Sequence, residues 1–275
     1  MRILSLGAGI QSSTILLMSC KGELPKPDCA IFADTQFEPS PVYANLQFLV
    51  DEAAKHGIPV HVRTKGNIEK DALVSRVRGH AEDGHRWASM PWAVDTGTPG
   101  GGKIKRQCTT EYKLQVIDRF CRREVLGLKP RQRAPKEPVI ETWIGISRDE
   151  AHRMKPSRDA YRFNEYPLIG HPIEYGISMS RYQCLEWLQA NYPEREFPRS
   201  ACIGCPYRSD AEWREMRRFH PDDWKRAVEF DHEIRKSGGP RGDTYTHRKL
   251  KPLEEAIGGE LPSLWGEECF GICGV

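Results

Sequence analysis

The chain has 275 residues, with 41 basic and 38 acidic side chains, a net charge of +3 and a sequence isoelectric point near 8.3. That length suits one large α/β domain or two small ones, and the near-balance of charge excludes a polycation that coats nucleic acid with its whole surface, leaving only local patches open. No run of 18 apolar residues occurs, which excludes a spanning helix, and a mean hydropathy of -0.61 accompanies apolar residues gathered in periodic segments, not disorder.

In chain order, Arg2-Ile3-Leu4-Ser5-Leu6 reads as a short apolar strand, Gly7-Ala8-Gly9 as a tight turn, and Ser12 to Ser19 as an apolar-rich helix. This start resembles a signal peptide only superficially. Gly, Gln and Ser interrupt it and no Ala-x-Ala cleavage site follows, so a cytoplasmic protein with no membrane partner is expected. A second strand, Cys29 to Ala33, ends at Asp34-Thr35. An amphipathic helix from Val42 to His56 is stopped by Gly57, and Pro59 to Val62 gives a third strand. Strands alternating with helices predict an α/β, mostly parallel sheet with helices on both faces.

Residues 79–102, rich in Gly, His and Trp, are expected to be a mobile surface loop. A helix from Thr110 to Leu126, a strand from Val139 to Ile146 and a helix from Arg181 to Asn191 follow. Beyond Pro198 the alternation stops. The expected organisation is therefore an α/β domain over 1–197 and a mainly helical, cysteine-containing region over 198–275, with helices at Asp210–Phe219 and Asp223–Lys236. His247 reads as surface decoration, with a position facing the active site as the alternative.

Gly7 to Ser13 lies between a strand and a helix. Small residues there let the backbone approach a ligand, and a helix start offers free N–H groups to a phosphate or sulfate; a plain strand–helix turn is the alternative. The segment lacks the Gly-Lys-Ser/Thr of a Walker loop, and Ser12 breaks a GxGxxG pattern. The chain's nine cysteines are an odd number in a protein too large to need disulfide staples. Cys202-Ile203-Gly204-Cys205 has the spacing of metal, iron–sulfur or redox dithiol sites, with Cys108 far upstream. Cys20, Cys29, Cys121 and Cys184 sit in apolar patterns and read as small core residues. Between Lys103 and Lys136 there are eleven basic residues and three acidic ones, a density fit for sulfate, phosphates or a nucleic-acid backbone, or for a solvated helix face. Arg148 and Arg153 follow a strand end and suit an oxyanion.

These segments together resemble the phosphoadenosine phosphosulfate (PAPS) reductase family of the adenine nucleotide α-hydrolase (PP-loop ATP pyrophosphatase) superfamily. Gly7 to Ser13 resembles its pyrophosphate loop, with Gln11 where ATP pyrophosphatases carry Asp. Ile31 to Thr35, Cys108 to Lys113, Trp143 to Glu150 and Tyr166 to Ile169 fall in the family's order. The resemblance implies a Rossmann-like five-stranded core holding an adenine nucleotide (PAPS, APS or ATP) through Gly7, Ala8, Gly9, Gln11, Ser12, Ser13, Asp34, Thr35, Arg148 and Arg153. It implies a [4Fe–4S] cluster on Cys108, Cys202 and Cys205, with Cys269, Cys273 or His220 as a fourth ligand; Zn²⁺ on the same residues is the alternative. The tail around Glu268-Cys269 resembles the family's C-terminal segment, whose cysteine attacks the sulfonyl sulfur to form a thiosulfonate, so Cys269 is the expected catalytic residue and a thiol reductant the expected partner. Alternatives are an ATP-dependent sulfurtransferase that takes a sulfur donor and thiolates tRNA or DNA, and a non-catalytic nucleotide- or zinc-binding module. A homo-oligomer is expected in each case.

Overall fold

The structure, a computed structural model, describes residues 1–73, 90–98, 100–170, 177–236 and 242–258. The chain divides into two compact units. The first comprises Met1–Asp34, Ser40–Lys65 and the described part of Tyr112–Ser200; the second comprises Thr35–Pro39 and the described residues of Gly66–Glu111 and from Ala201 onward.

The first unit is built on a five-stranded sheet. Its strands are β1 (Arg2–Leu6), β2 (Cys29–Asp34), β3 (Val60–Thr64), β6 (Ile140–Ile144) and β7 (Arg162–Glu165), in the order β3-β2-β1-β6-β7. Every neighbouring pair is parallel. Side chains alternate between two cores, as the period of a strand requires. Leu4, Leu6, Ala30, Phe32 and Trp143 face one cluster, where α1 (Ile10–Lys21), α2 (Ser40–Lys55) and α5 (Arg181–Asn191) pack. Ile3, Cys29, Ile31, Ala33 and Ile140 face the other, covered by helical residues 110–125, of which α4 is Gln115–Phe120. The Rossmann-like sheet with helices on both faces expected from the sequence is therefore present.

Within that frame α1 is buried almost all round, from Ile10 and Ser12 through Cys20. Its polar residues survive there by bonding back to the helix: Thr14 Oγ1 donates to the Ile10 carbonyl and Ser19 Oγ to that of Ile15, each at 2.9 Å. Burial pushes the Cys20, Cys29 and Cys121 thiols up to about 11 and the Cys184 thiol up to about 12, the signature of packed, unreactive cysteines.

The second unit contains α3 (Ile68–Leu73), a three-stranded antiparallel sheet ordered β5 (Gly102–Lys103), β4 (Ala93–Val94), β8 (Thr244–Tyr245), and the helices α6 (Asp210–Phe219), α7 (Pro221–Lys236) and α8 (Leu253–Ala256). The expected loop over 79–102 needs correction on this point: residues 79–89 and 99 lie outside the described residues, but Ala93 and Val94 are buried and bridge two strands, with Trp92 beside them wholly buried. A two-residue strand has no periodicity to read. Asp231, fully buried on α7, accepts hydrogen bonds from the Thr246 N–H and hydroxyl, the Leu253 N–H and Arg235. One carboxylate thus ties β8 and α8 to the long helix.

Candidate functional site

The strand order reverses direction between β1 and β6. From β1 the chain proceeds outward through β2 to β3, and it returns to place β6 and β7 on the opposite side of β1. The segments leaving the carboxyl ends of these two central strands are residues 7–13 and 145–153.

The turn after β1 is held in one shape. Ala8, fully buried, has φ 51, a left-handed conformation costly for a residue with a Cβ. Its carbonyl accepts from Asn45 Nδ2 at 2.9 Å, and the same amide donates to Ser13 Oγ at 3.1 Å. Ser12 Oγ accepts from the Gly7 N–H at 3.1 Å and donates to the Gly9 carbonyl at 3.3 Å. A Cβ on Gly9 would stand 2.9 Å from Ser200 Cβ and 3.0 Å from its backbone nitrogen, so only glycine lets this segment pass. Gly9 is the N-cap of α1 and caps it with no side chain, and the first turn carries no acid, which leaves the positive end of the helix open to an anion. A small cavity of about 50 Å³ adjoins, lined by Ser5, Leu6, Gly7, Phe32, Ala33, Lys113 and Ile117.

The turn after β6 is fastened to the first. A Cβ at Gly145 would meet the Ser12 nitrogen at 2.9 Å and its Cα at 3.2 Å. Gln11 Nε2 donates to Glu150 Oε2 at 3.0 Å and lies 3.5 Å from Ser147 Oγ. Glu150 in turn accepts from Arg153 at 2.6 Å. The exposed Arg148 side chain reaches, among the described residues, Gln183 Oε1 at 3.4 Å. Asp149 accepts the Arg181 N–H at the start of α5; burial raises its carboxyl, but hydrogen bonds from Ser147 and Arg181 outweigh that and hold it below the usual range. Of the expected nucleotide-binding residues, Gly7, Ala8, Gly9, Gln11, Ser12, Ser13, Arg148 and Arg153 therefore fall on the two segments at the sheet's switch point. Asp34, at the end of β2, accepts the Tyr43 hydroxyl at 2.8 Å.

Thr35 belongs to the second unit, where it meets the CxxC segment. Its hydroxyl donates to Glu38 Oε1 at 3.0 Å, and Cys202 Sγ lies 3.5 Å from Thr35 Oγ1 and 3.6 Å from Glu38 Oε1. The Cys205 N–H closes the turn on the Cys202 carbonyl at 3.1 Å, while buried Arg208 binds the carbonyls of Ala201 and Cys202. Cys108, Cys202 and Cys205 are all partly exposed. Among the described residues no group of three or more His, Cys, Asp or Glu side chains is arranged to hold a metal ion. Cys269 and Cys273 lie outside the described residues.

His247 corrects another expectation: it is 1% exposed. Its Nδ1 accepts the Lys249 N–H at 3.2 Å, so Nε2 carries the proton toward Asp210 Oδ1, also at 3.2 Å. Burial pushes the imidazole below its ordinary value despite Asp210. A histidine with both nitrogens engaged holds structure together, and no periodic pattern around Tyr245-Thr246-His247 could have revealed it.

Fold and site together define a Rossmann-like α/β protein in which a small-residue turn and the uncapped start of α1 stand at the switch point of a parallel sheet. No family model matches the sequence, and no curated protein matches it. Among solved structures, the chain is similar to the crystal structure of phosphoadenylyl-sulfate (PAPS) reductase from Candida auris in its phosphate complex, at 15% identity and a TM-score of 0.41, over 72% of this chain and 74% of that one. No helix among the described residues is long and apolar enough to cross a membrane.

Proposed function

We propose that the protein binds the phosphate or sulfonate end of an adenine nucleotide at residues 7–13 and carries out sulfur chemistry on it. The observation that carries this reading is the position of the two fastened turns at the carboxyl ends of β1 and β6, where the strand order reverses. Ligands of open α/β sheets bind in that crevice. The first-turn N–H groups of α1 are the donors for the oxyanion, and Arg148, lightly held by Gln183, is free to pair with it through two parallel hydrogen bonds. Arg153 is committed to Glu150, and so fixes the carboxylate that orients Gln11. The preference for an adenine nucleotide over other anions rests on the sequence resemblance of residues 7–13, 31–35 and 143–150.

Gln11 is neutral and cannot draw in Mg²⁺ as a carboxylate does, which favours a ready-made sulfonucleotide over adenylylation by ATP. In that reaction the Cys269 thiolate attacks the sulfonyl sulfur and the bond from sulfur to the phosphate oxygen breaks. The nucleotide leaves as an oxyanion, stabilised by the positive end of α1. The sulfonyl group stays on Cys269 as a thiosulfonate. A thiol reductant then attacks the Cys269 sulfur, releasing sulfite and leaving a mixed disulfide that a second thiol resolves. No step requires a metal.

The test is to incubate anaerobic protein and dithiol separately with ATP, APS and PAPS, assaying binding, sulfite, AMP and pyrophosphate. Sulfite from a sulfonucleotide, lost in Cys269→Ser, supports the reading. Pyrophosphate from ATP would favour the sulfurtransferase instead, and no adenine nucleotide binding would refute both.

A further inference from the structure

The first unit carries a second concavity at the other edge of its sheet. Neighbouring parallel strands enter from the same side, so the segments leading into β6 and β7 share the amino-terminal edge, whereas residues 7–13 leave β1 at the carboxyl edge. Those entering segments, with Arg122 of the preceding helical stretch, line an open groove of about 420 Å³. Four cations face it (Arg122, Arg133, Lys136 and Arg158) against one acid, Asp159. That acid is already taken: Arg162 binds it through Nε and a terminal nitrogen, at 3.0 and 2.6 Å. Arg133, Lys136 and Arg158 are exposed, and none has an ion-pair partner among the described residues. Arg122 is oriented by the Gln132 carbonyl at 3.0 Å.

Four like charges around one concavity repel across distances within a Debye length, about 8 Å at physiological salt. Among the described residues no acid forms an ion pair with Arg133, Lys136 or Arg158, and a bound polyanion relieves that repulsion. We propose that this groove binds the phosphodiester backbone of a nucleic acid, at a site separate from residues 7–13. Its lining offers no large exposed apolar anchor, since Tyr161 is 2% exposed. Protein partners are gripped through such anchors, whereas a phosphate backbone is held by charge alone. Three of the four cations are arginines, whose planar fork matches phosphate oxygens. Contacts confined to phosphates carry no sequence information, so binding is indifferent to base sequence.

The experiment uses the full-length protein and fluorescence anisotropy of a labelled oligonucleotide, single- and double-stranded, between about 50 and 200 mM salt. The expected result is an affinity whose logarithm falls linearly with the logarithm of salt concentration. Arg133→Glu/Arg158→Glu should weaken low-salt binding at least tenfold. If each arginine neutralises one phosphate, the slope should decrease by roughly 1.4 on single strands and roughly 1.8 on duplex. The thermal midpoint and any adenine nucleotide affinity should stay unchanged, so a failure at residues 7–13 is distinguishable from a failure here. Arg133→Gln/Arg158→Gln serves if charge reversal unfolds the protein, with a smaller effect in the same direction. Salt-independent binding, or binding that neither variant alters, overturns the proposal. So does competition by charge-matched polyglutamate as effective as that by the oligonucleotide, which would mark an acidic polypeptide site.

Discussion

Gly145→Ala isolates the link between the two turns. The new Cβ would stand 2.9 Å from the Ser12 nitrogen, 3.2 Å from Ser12 Cα and 3.3 Å from the Gln11 carbonyl carbon, all backbone atoms in the first turn of α1. None can rotate away as a side-chain end would. Overpacking of this kind costs about 1–3 kcal/mol. For a unit of this size that lowers the thermal midpoint by about 2–12 °C. Gly145 does not need a left-handed backbone, so the effect is steric alone. If the strain is relieved by shifting the first turn of α1, the N–H donors move with it, and adenine nucleotide affinity should fall by up to about 5- to 150-fold, the same free energy expressed as binding. Differential scanning calorimetry and isothermal titration with ATP, APS or PAPS measure the two effects. An alanine variant with unchanged midpoint and affinity would show that the contact between the β6 turn and α1 is not what shapes the site.

Asn45→Asp removes the donor that holds the Ala8 carbonyl and Ser13, and sets a carboxylate against that carbonyl in a position 1% exposed. It should destabilise by about 3 kcal/mol or more, and by more than Asn45→Ala, in urea unfolding; equal losses would contradict the pinning role. In the native protein a thiol-labelling reagent followed by peptide mapping should modify Cys108, Cys202 and Cys205 while leaving Cys20, Cys29, Cys121 and Cys184 silent, since the latter are buried and their thiols raised to about 11–12. Labelling of Cys202 and Cys205 that is accelerated by a chelator would expose a metal on them. The depressed imidazole of His247 makes the unfolded chain the better proton acceptor, so stability should be present above about pH 6.5 and decline as pH falls through that value. His247→Gln should flatten the thermal midpoint between pH 7.5 and 5.5, and an unchanged slope would assign it to other groups.

The first unit was legible because its physics is periodic. Cys29 to Ala33 is a continuous apolar run, and Ile3, Leu4, Leu6, Ile140 and Trp143 add apolar side chains to both faces, as a sheet covered on both sides demands. Helices α5 and α6 begin and end where the sequence placed them, each opened by a capping box, Ser180 with Gln183 and Ser209 with Glu212. What was not legible lacked such a signal. β7 is Arg-Phe-Asn-Glu, with Phe163 on its exposed side. β4, β5 and β8 are two residues long. Residues 7–13 could be located from their small side chains, but Ser200, which presses on Gly9, and Asn45, which fixes Ala8, are distant in sequence and carry no motif.

Ala8 sits in a rare backbone conformation, anchored from α2 and closed in by its own serines, before any ligand arrives. Such a socket tolerates neither insertion nor deletion, so it is a poor place for a lineage to experiment. The short helical turn Arg148–Arg153 across from it has no buried residue at all. Divergence in what this scaffold accepts should accumulate there, while the socket itself stays the same.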